Sequence, residues 1–465
     1  MIRGTQSQVV QILLCPAGNS RDKGASKKQS ARRRGEFMSI SSVAEKQPGL
    51  YRNIVLGSLF VIYTFNFIDR LIFSVLQEPI RHELGFSDLQ IGLLSGLAFA
   101  VFYTAVGLPI AWAADRFNRV SIISISLAIW SLFTAASGLA MNFWQMFFAR
   151  LGVGFGEAGC TPPAHSLMSD YFDSKQRTRA IAIYSLGIPI GSLLGLMGGG
   201  WVVENMGWRQ AFFVVGLPGL LVAVLAKIII KEPKRGNFDA TATEPLPFGT
   251  VLKTLWSKPT FWIFSLGASF TSLGGYAVST WMVPHFIRSF HMGYSEVGLK
   301  FGLVGIVPMA IGTYFGGWLS DKLGQRNLKW YALVPMFSSA LMAPMFFVAL
   351  QMHNPWILMA IWVIPAICSG IWLAPVFGTI QNLVPPNMRA FSSSISLFII
   401  NIIGLGIGPT LTGGLSTYFT VPDGSNAGEA LQIALSIVVW VYVLAAVLYY
   451  FASKTIKEDW YGDGH

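Results

Sequence analysis

Four ionisable residues stand inside otherwise apolar runs: Asp69 and Arg70 in "YTFNFIDRLIFSV", and Arg150 and Glu157 in "ARLGVGFGEAG". Left unpaired in hydrocarbon, each costs several kcal/mol, about 2.5 to 3.5 and upward at a helix centre, so they must face a wet cavity or one another. Adjacent helical residues project about 100° apart, and Asp69 and Arg70 therefore do not neutralise each other. Arg150 and Glu157 lie two turns apart on one face. Depth sets Asp69 level with Arg150, whereas Arg70 and Glu157 meet only if both side chains stretch.

Such a set suits proton exchange. Burial favours the neutral form of a carboxylic acid and a neighbouring Arg favours the ionised form, so a site whose Arg changes partner takes up a proton in one conformation and releases it in another. Asp69 and Glu157 are the proton-responsive candidates. Arg70 and Arg150 are the cations that pair with them or with an anionic substrate group. The simpler alternative is a fixed network tying helices one and four together, although apolar residues would replace a static pair at little cost.

The elements that position these groups are helices. Of 465 residues, 53% are hydrophobic and 12% charged, and the apolar residues form blocks long enough to cross about 30 Å of hydrocarbon. Twelve blocks are predicted: 54–76, 89–113, 120–140, 143–166, 178–203, 209–231, 259–286, 296–319, 328–350, 355–383, 391–416 and 430–452. The expected fold is an all-α polytopic membrane protein of twelve transmembrane helices in two pseudo-symmetric six-helix halves. Alternate loops rich in Lys and Arg put both termini on the cytoplasmic side of an inner or plasma membrane. Much of the net charge of +11 belongs to a basic tail over residues 1–50, read as disordered, within which Met38 is a natural start. Cys160 and Cys368 fall inside helices and read as small buried hydrophobes, and with Cys15 they form no disulfide framework.

The chain repeats with a period near 210 residues. "AWAADRFNRVS" after block two matches "GGWLSDKLGQRNL" after block eight, aligning Asp115 with Asp321 and Arg119 with Arg326; Arg179 falls near Arg389. Halves of this kind, 51–231 and 259–453, pack about an axis along the membrane normal with a cavity between them. Residues 232–258 form the cytoplasmic linker, and 454–465 a cytoplasmic tail. Glycines four apart, Gly92 and Gly96, Gly187, Gly191 and Gly195, Gly312 and Gly316, and Gly404 and Gly408, suggest close and sliding helix contacts.

With these features the chain resembles the major facilitator superfamily over residues 50 to 455, with Ala111 and Asn118 where that family's loop pattern usually has Gly. "NFIDR", "ADRFNR", "ARLGVGFGEAG", "RTRAIAIYSLGIPIGSLLG" and "GWRQAFFVVGLPG" resemble the spinster-like branch, whose relatives include lysolipid and sphingolipid-phosphate exporters.

At the cytoplasmic face Asp115 and Asp321 are expected latch residues, in loops that also hold Arg116, Arg119 and Arg326. Arg389 and Ser392 to Ser394 are the candidate partners of Asp115, and Arg179 that of Asp321. The resemblance implies that such contacts brace the outward-facing or occluded arrangement. Tyr63, Asn66, Tyr184, Trp281, Trp372 and Asn401 are expected to complete the cavity, whose second-half wall should be largely apolar.

No phosphate-binding Gly-rich loop or clustered metal ligands appear, and His165 and His285 stand alone as helix-end residues. The reading is therefore a proton-coupled secondary transporter rather than an enzyme, without cofactor, metal or nucleic-acid partner, moving a lipid-like or amphipathic anion among membrane lipids. The alternatives are a transporter of small organic anions such as aromatic or sugar acids, favoured by fewer apolar residues on the second-half wall, and a non-transporting receptor or scramblase-like scaffold.

Overall fold

Within hydrocarbon a backbone amide has only other backbone groups to bond, so each long apolar run closes into a helix. The computed structural model describes residues 49–235 and 248–461, and their regular elements are all helical. The basic tail up to residue 48, with Cys15 and Met38, lies outside the described residues. So do linker residues 236–247 and residues 462–465.

Eleven helices among the described residues are long and apolar enough to cross a membrane. Numbered as spans in chain order, they are span 1 (Gly49–Leu84), span 2 (Asp88–Ala114), span 3 (Arg119–Ser137), span 5 (Arg179–Met206), span 6 (Trp208–Ile229), span 7 (Pro259–Phe290), span 8 (Tyr294–Gly324), span 9 (Trp330–Leu350), span 10 (Pro355–Asn382), span 11 (Phe391–Phe419) and span 12 (Ala427–Asp459). Span 4, expected as one block, is instead two helices, Phe143–Glu157 and Thr161–Tyr171. Pro162 and Pro163 explain the restart: proline lacks a donor and its ring crowds the preceding turn, so both sit in the first turn of the second piece. Glu157 is thereby left at the last turn of the first piece.

The Tyr51 hydroxyl donates to the Ile229 carbonyl at 2.9 Å, and the Lys258 ammonium to the Asp459 carbonyl. The start of spans 1 and 7 and the end of spans 6 and 12 thus share one face, here called the terminal face. On the other face the two sets of six spans close on each other. Gly92 and Gly96 of span 2 lie against the backbone of Pro409 and Gly406 in span 11, and Gly298 of span 8 against Leu196 of span 5. A Cβ at any of these would collide with backbone.

The other glycine stripes depart from the sliding-interface expectation. Gly187, Gly191 and Gly195 seat span 5 on span 1; Gly312 and Gly316 seat span 8 on span 10; Gly404 and Gly408 seat span 11 on span 7. These contacts stay within one half. Missing side chains allow tight helix packing wherever it occurs, so spacing alone does not distinguish a fixed seam from a moving one.

The linker is built onto the first half. Arg119, fully buried at the start of span 3, donates to Glu232 Oε1 and Asp170 Oδ2, both at 2.6 Å, and to Ser166 Oγ at 2.8 Å. Arg235 caps span 2 by donating to the carbonyls of Ala114, Asp115 and Phe117. Farther on, a helix over Phe248–Trp256 buries Val251 and Leu255 and exposes Trp256. This part of the linker is structured where a plain loop was expected.

Candidate functional site

The Arg70 guanidinium meets Glu157 with Nε 2.6 Å from Oε2. Around it stand the rings of Phe67, Phe99 and Tyr103, their centroids 5.3, 5.0 and 4.6 Å from its Cζ. Ring faces attract a desolvated cation and hold its plane, so the pair that needed two stretched side chains is the pair that forms.

The level pair does not form. Asp69 Oδ2 accepts from the Thr134 hydroxyl of span 3 at 2.6 Å, and its Oδ1 has no hydrogen-bond partner among the described residues. Arg150 lies over the Phe73 ring, 4.5 Å from its centroid, and its Nε and Nη1 are buried without a partner. Sequence depth made Asp69 and Arg150 neighbours without showing what each would bond. The third helix, which supplies Thr134, was invisible to that argument.

Arg70 and Arg150 border a cavity of about 80 Å³, together with Ser74, Gln77 and Ser95 from the first half. From the second half come Tyr276, Ser279, Thr280 and Leu405. The expectation of a largely apolar second-half wall is therefore corrected, since three of these four carry polar groups.

The six expected cavity residues lie elsewhere. Tyr63 stacks on Tyr184, centroids 4.2 Å apart and planes 10° apart, and the Tyr184 hydroxyl is buried without a partner. Asn66 is buried with its Nδ2 unpartnered. Trp281 packs in the core and donates from Nε1 to the Pro409 carbonyl at 2.9 Å, while Trp372 belongs to the second-half core. Asn401 opens a π-helical stretch, Asn401–Ile407, that presents Leu405 to the cavity. A wider turn of this sort recurs at functional sites.

A second ionic cluster went unrecognised. On the face away from the termini Arg288 of span 7 reaches Glu78 Oε1 from Nε at 2.8 Å and Asp88 Oδ2 from Nη1 at 2.7 Å. Arg81 lies 3.0 Å from Asp88 Oδ1, and the Ser416 hydroxyl of span 11 donates to Asp88 at 2.6 Å. Spans 1, 2, 7 and 11 are thus tied together by buried charge. The blocks 54–76 and 259–286 ended too early to include Glu78 and Arg288. Both runs stay helical past those ends, to Leu84 and Phe290.

Of the expected latch residues, Asp115, Arg179, Asp321 and Arg326 are exposed, and Arg389 is half-buried with Nε unpartnered. Neither Asp115 with Arg389 nor Asp321 with Arg179 forms an ion pair among the described residues; Asp321 instead receives a 3.4 Å contact from the Tyr331 hydroxyl. Arg116 covers the Trp112 ring. Arg119 is corrected from latch to internal clamp, because Asp170 and Glu232 already occupy its guanidinium. Asn118, where a Gly was usual, caps span 3 by accepting from Ser121 N at 2.7 Å.

Two sets of spans closed on each other at one face around buried charges are the architecture of a membrane transporter. The chain belongs to the major facilitator superfamily, whose family model matches residues 59–409, and within it to the spinster-like branch. It is similar to an MFS-type efflux pump of Mycolicibacterium smegmatis, 30% identical over 87% of this chain and 93% of that one. A cis,cis-muconate transport protein of Acinetobacter baylyi is 30% identical over 56% of this chain and 63% of its own. Among solved structures, a bacterial homologue of the human lysosomal transporter spinster, inward-facing and unoccupied, superposes with a TM-score of 0.83 at 33% identity. That match covers 90% of this chain and all of that one.

Proposed function

We propose that the protein is a proton-coupled secondary transporter of organic anions, working by rocking of the halves formed by spans 1–6 and 7–12, with an amphipathic anion as cargo. The observation that carries this reading is the asymmetric quartet: Arg70 is held by Glu157, while Arg150 and one oxygen of Asp69 lack partners. An unsatisfied buried guanidinium is costly, and a substrate anion relieves it. An anion bound there offsets the positive charge that favours ionised Asp69 and so changes which carboxylate keeps its proton. With the termini cytoplasmic, closure at the opposite face corresponds to an inward-open arrangement, in line with the inward-facing spinster homologue. The likeness to an efflux pump supports outward movement of the cargo.

A second reading, transport of small organic acids, is favoured by the polar second-half wall of Tyr276, Ser279 and Thr280 and by the partial likeness to the muconate transport protein. Reconstitution into proteoliposomes with an imposed pH gradient tests the coupling. Gradient-dependent flux is expected to disappear in Asp69→Asn and Glu157→Gln while flux down a substrate gradient persists. Flux that ignores the gradient in the unsubstituted protein would remove the coupling reading.

A further inference from the structure

We propose that Thr134 of span 3 is a positioning residue for proton exchange at Asp69: its hydroxyl donates to the ionised carboxylate, accepts from the protonated one, and so sets the pH at which Asp69 takes up its proton. This rests on the reading of Asp69 as a proton-exchanging carboxylate.

The direction in which Thr134 turns its hydroxyl carries the inference. A hydroxyl has one proton to give and lone pairs with which to receive. Inside a helix the ordinary recipient is the carbonyl one turn back. Thr64 donates to Phe60 at 2.9 Å, Thr104 to Ala100 at 2.6 Å, and Thr412 to Gly408 at 3.0 Å. Thr134 turns instead to another span and donates to Asp69 Oδ2 at 2.6 Å, a length that suits a bond to an ionised acceptor. Both residues are 1% exposed.

Arg150 borders the cavity, and neither Asp69 nor Thr134 is among the residues that line it. An anion bound in the cavity therefore meets Arg150 rather than the carboxylate, and the protein itself must satisfy Asp69 in both protonation states. The charged groups facing Asp69 are Arg150 and Glu157 of span 4 and Arg70 of its own span. Tyr103 of span 2 and Tyr276 of span 7 face Arg70. Spans 5, 6 and 7 carry charge only toward their ends, at Arg179 and Glu204, at Arg209 and Lys227, and at Arg288 with the neighbouring His285.

When Asp69 takes up a proton from water, its new O–H needs an acceptor. By turning about one bond, Thr134 gives its own proton to the Trp130 carbonyl of its helix and accepts from Asp69. One proton is added, Thr134 keeps its own, and both states of Asp69 retain a hydrogen bond. The bond to the ionised state is the stronger of the two because it is charge-assisted. On balance the hydroxyl therefore favours ionisation.

The carbonyl stretch of protonated Asp69 gives a direct test. Infrared difference spectra of the purified full-length protein against Asp69→Asn, titrated without a membrane gradient, give the midpoint of its protonation. Thr134→Val keeps the shape and removes the hydroxyl. It should move that midpoint upward by about one pH unit, the difference between a charge-assisted and a neutral hydrogen bond. Thr134→Ser, which keeps the hydroxyl, should retain the original midpoint. Thr134→Cys, a weak donor and acceptor, serves if Thr134→Val does not fold, and should give a smaller upward shift. A role confined to holding spans 1 and 3 together would lower the melting temperature and leave the midpoint in place. An unchanged or lowered midpoint without the hydroxyl, a Thr134→Ser that behaves as Thr134→Val does, or the lack of any band that depends on Asp69 would overturn the proposal. A shifted midpoint in a protein whose flux ignores the pH gradient defeats the coupling reading and keeps this one. An unshifted midpoint with gradient-driven flux does the reverse.

Discussion

Arg288 of span 7 and Glu78 of span 1, 210 residues apart in the chain, bind each other across the seam between the halves at 2.8 Å. Side-chain exposures of 6% and 2% make this a buried pair. Removing one partner leaves the other charge buried and uncompensated, a cost of about 3 to 5 kcal/mol. Arg288→Gln should therefore weaken closure of the face away from the termini. In a Ser279→Cys background, an impermeant thiol reagent added from that face should label faster once Arg288 is replaced. Equal labelling would show that the cluster does not hold the seam.

Gly92 tests the same seam by bulk instead of charge. A Cβ there would meet the Pro409 carbonyl and the Thr410 backbone. Gly92→Leu is expected to disfavour the arrangement closed on this face, cutting transport tenfold or more while the protein still folds, since the two halves separate without unfolding. Crosslinking between cysteines placed at Leu89 and Thr417, whose backbone amide and hydroxyl now lie 2.8 Å apart, should fall in parallel.

Arg119 makes a stability prediction. Its guanidinium is 1% exposed and bonded to Asp170 and Glu232, so Arg119→Leu removes the cation that two carboxylates share and should cost about 3 kcal/mol or more. The melting temperature in detergent should drop clearly. Replacing Glu232 by Gln as well should recover little, because Asp170, at 5% exposure, is the more buried partner.

Asp115 and Asp321 form no partnership with Arg389 and Arg179 in this arrangement, which is what a latch for the opposite arrangement requires. Asp115→Asn should slow transport several-fold with substrate affinity retained, measured as flux against equilibrium binding. Unchanged flux would remove the latch.

Much of this site was legible in the residues. Four charges within apolar blocks pointed to one location, because hydrocarbon tolerates such groups only where they meet each other or water. The seven-residue spacing of Arg150 and Glu157 placed both near the partner helix. What failed was the choice of partners: it depends on Thr134 from span 3, on the aromatic rings around Arg70, and on the break of span 4 at residues 158–160. The cavity wall failed for a related reason. Large residues such as Trp281 and Trp372 stood out in the sequence, yet they fill the core, and Ser74, Ser95, Ser279 and Thr280 share the cavity wall with Phe67, Phe73 and Phe99.

By itself the sequence determined the helices and which charges lie within them, since hydropathy and a 1.5 Å rise per residue act locally along the chain. The tertiary structure alone decided which carboxylate holds Arg70, that Arg150 is left over, and that Glu78 and Arg288 close one face. Those outcomes depend on how helices rotate and cross, which is set by packing among residues far apart in the chain, and a one-residue turn of a helix, about 100°, is enough to exchange one partner for another.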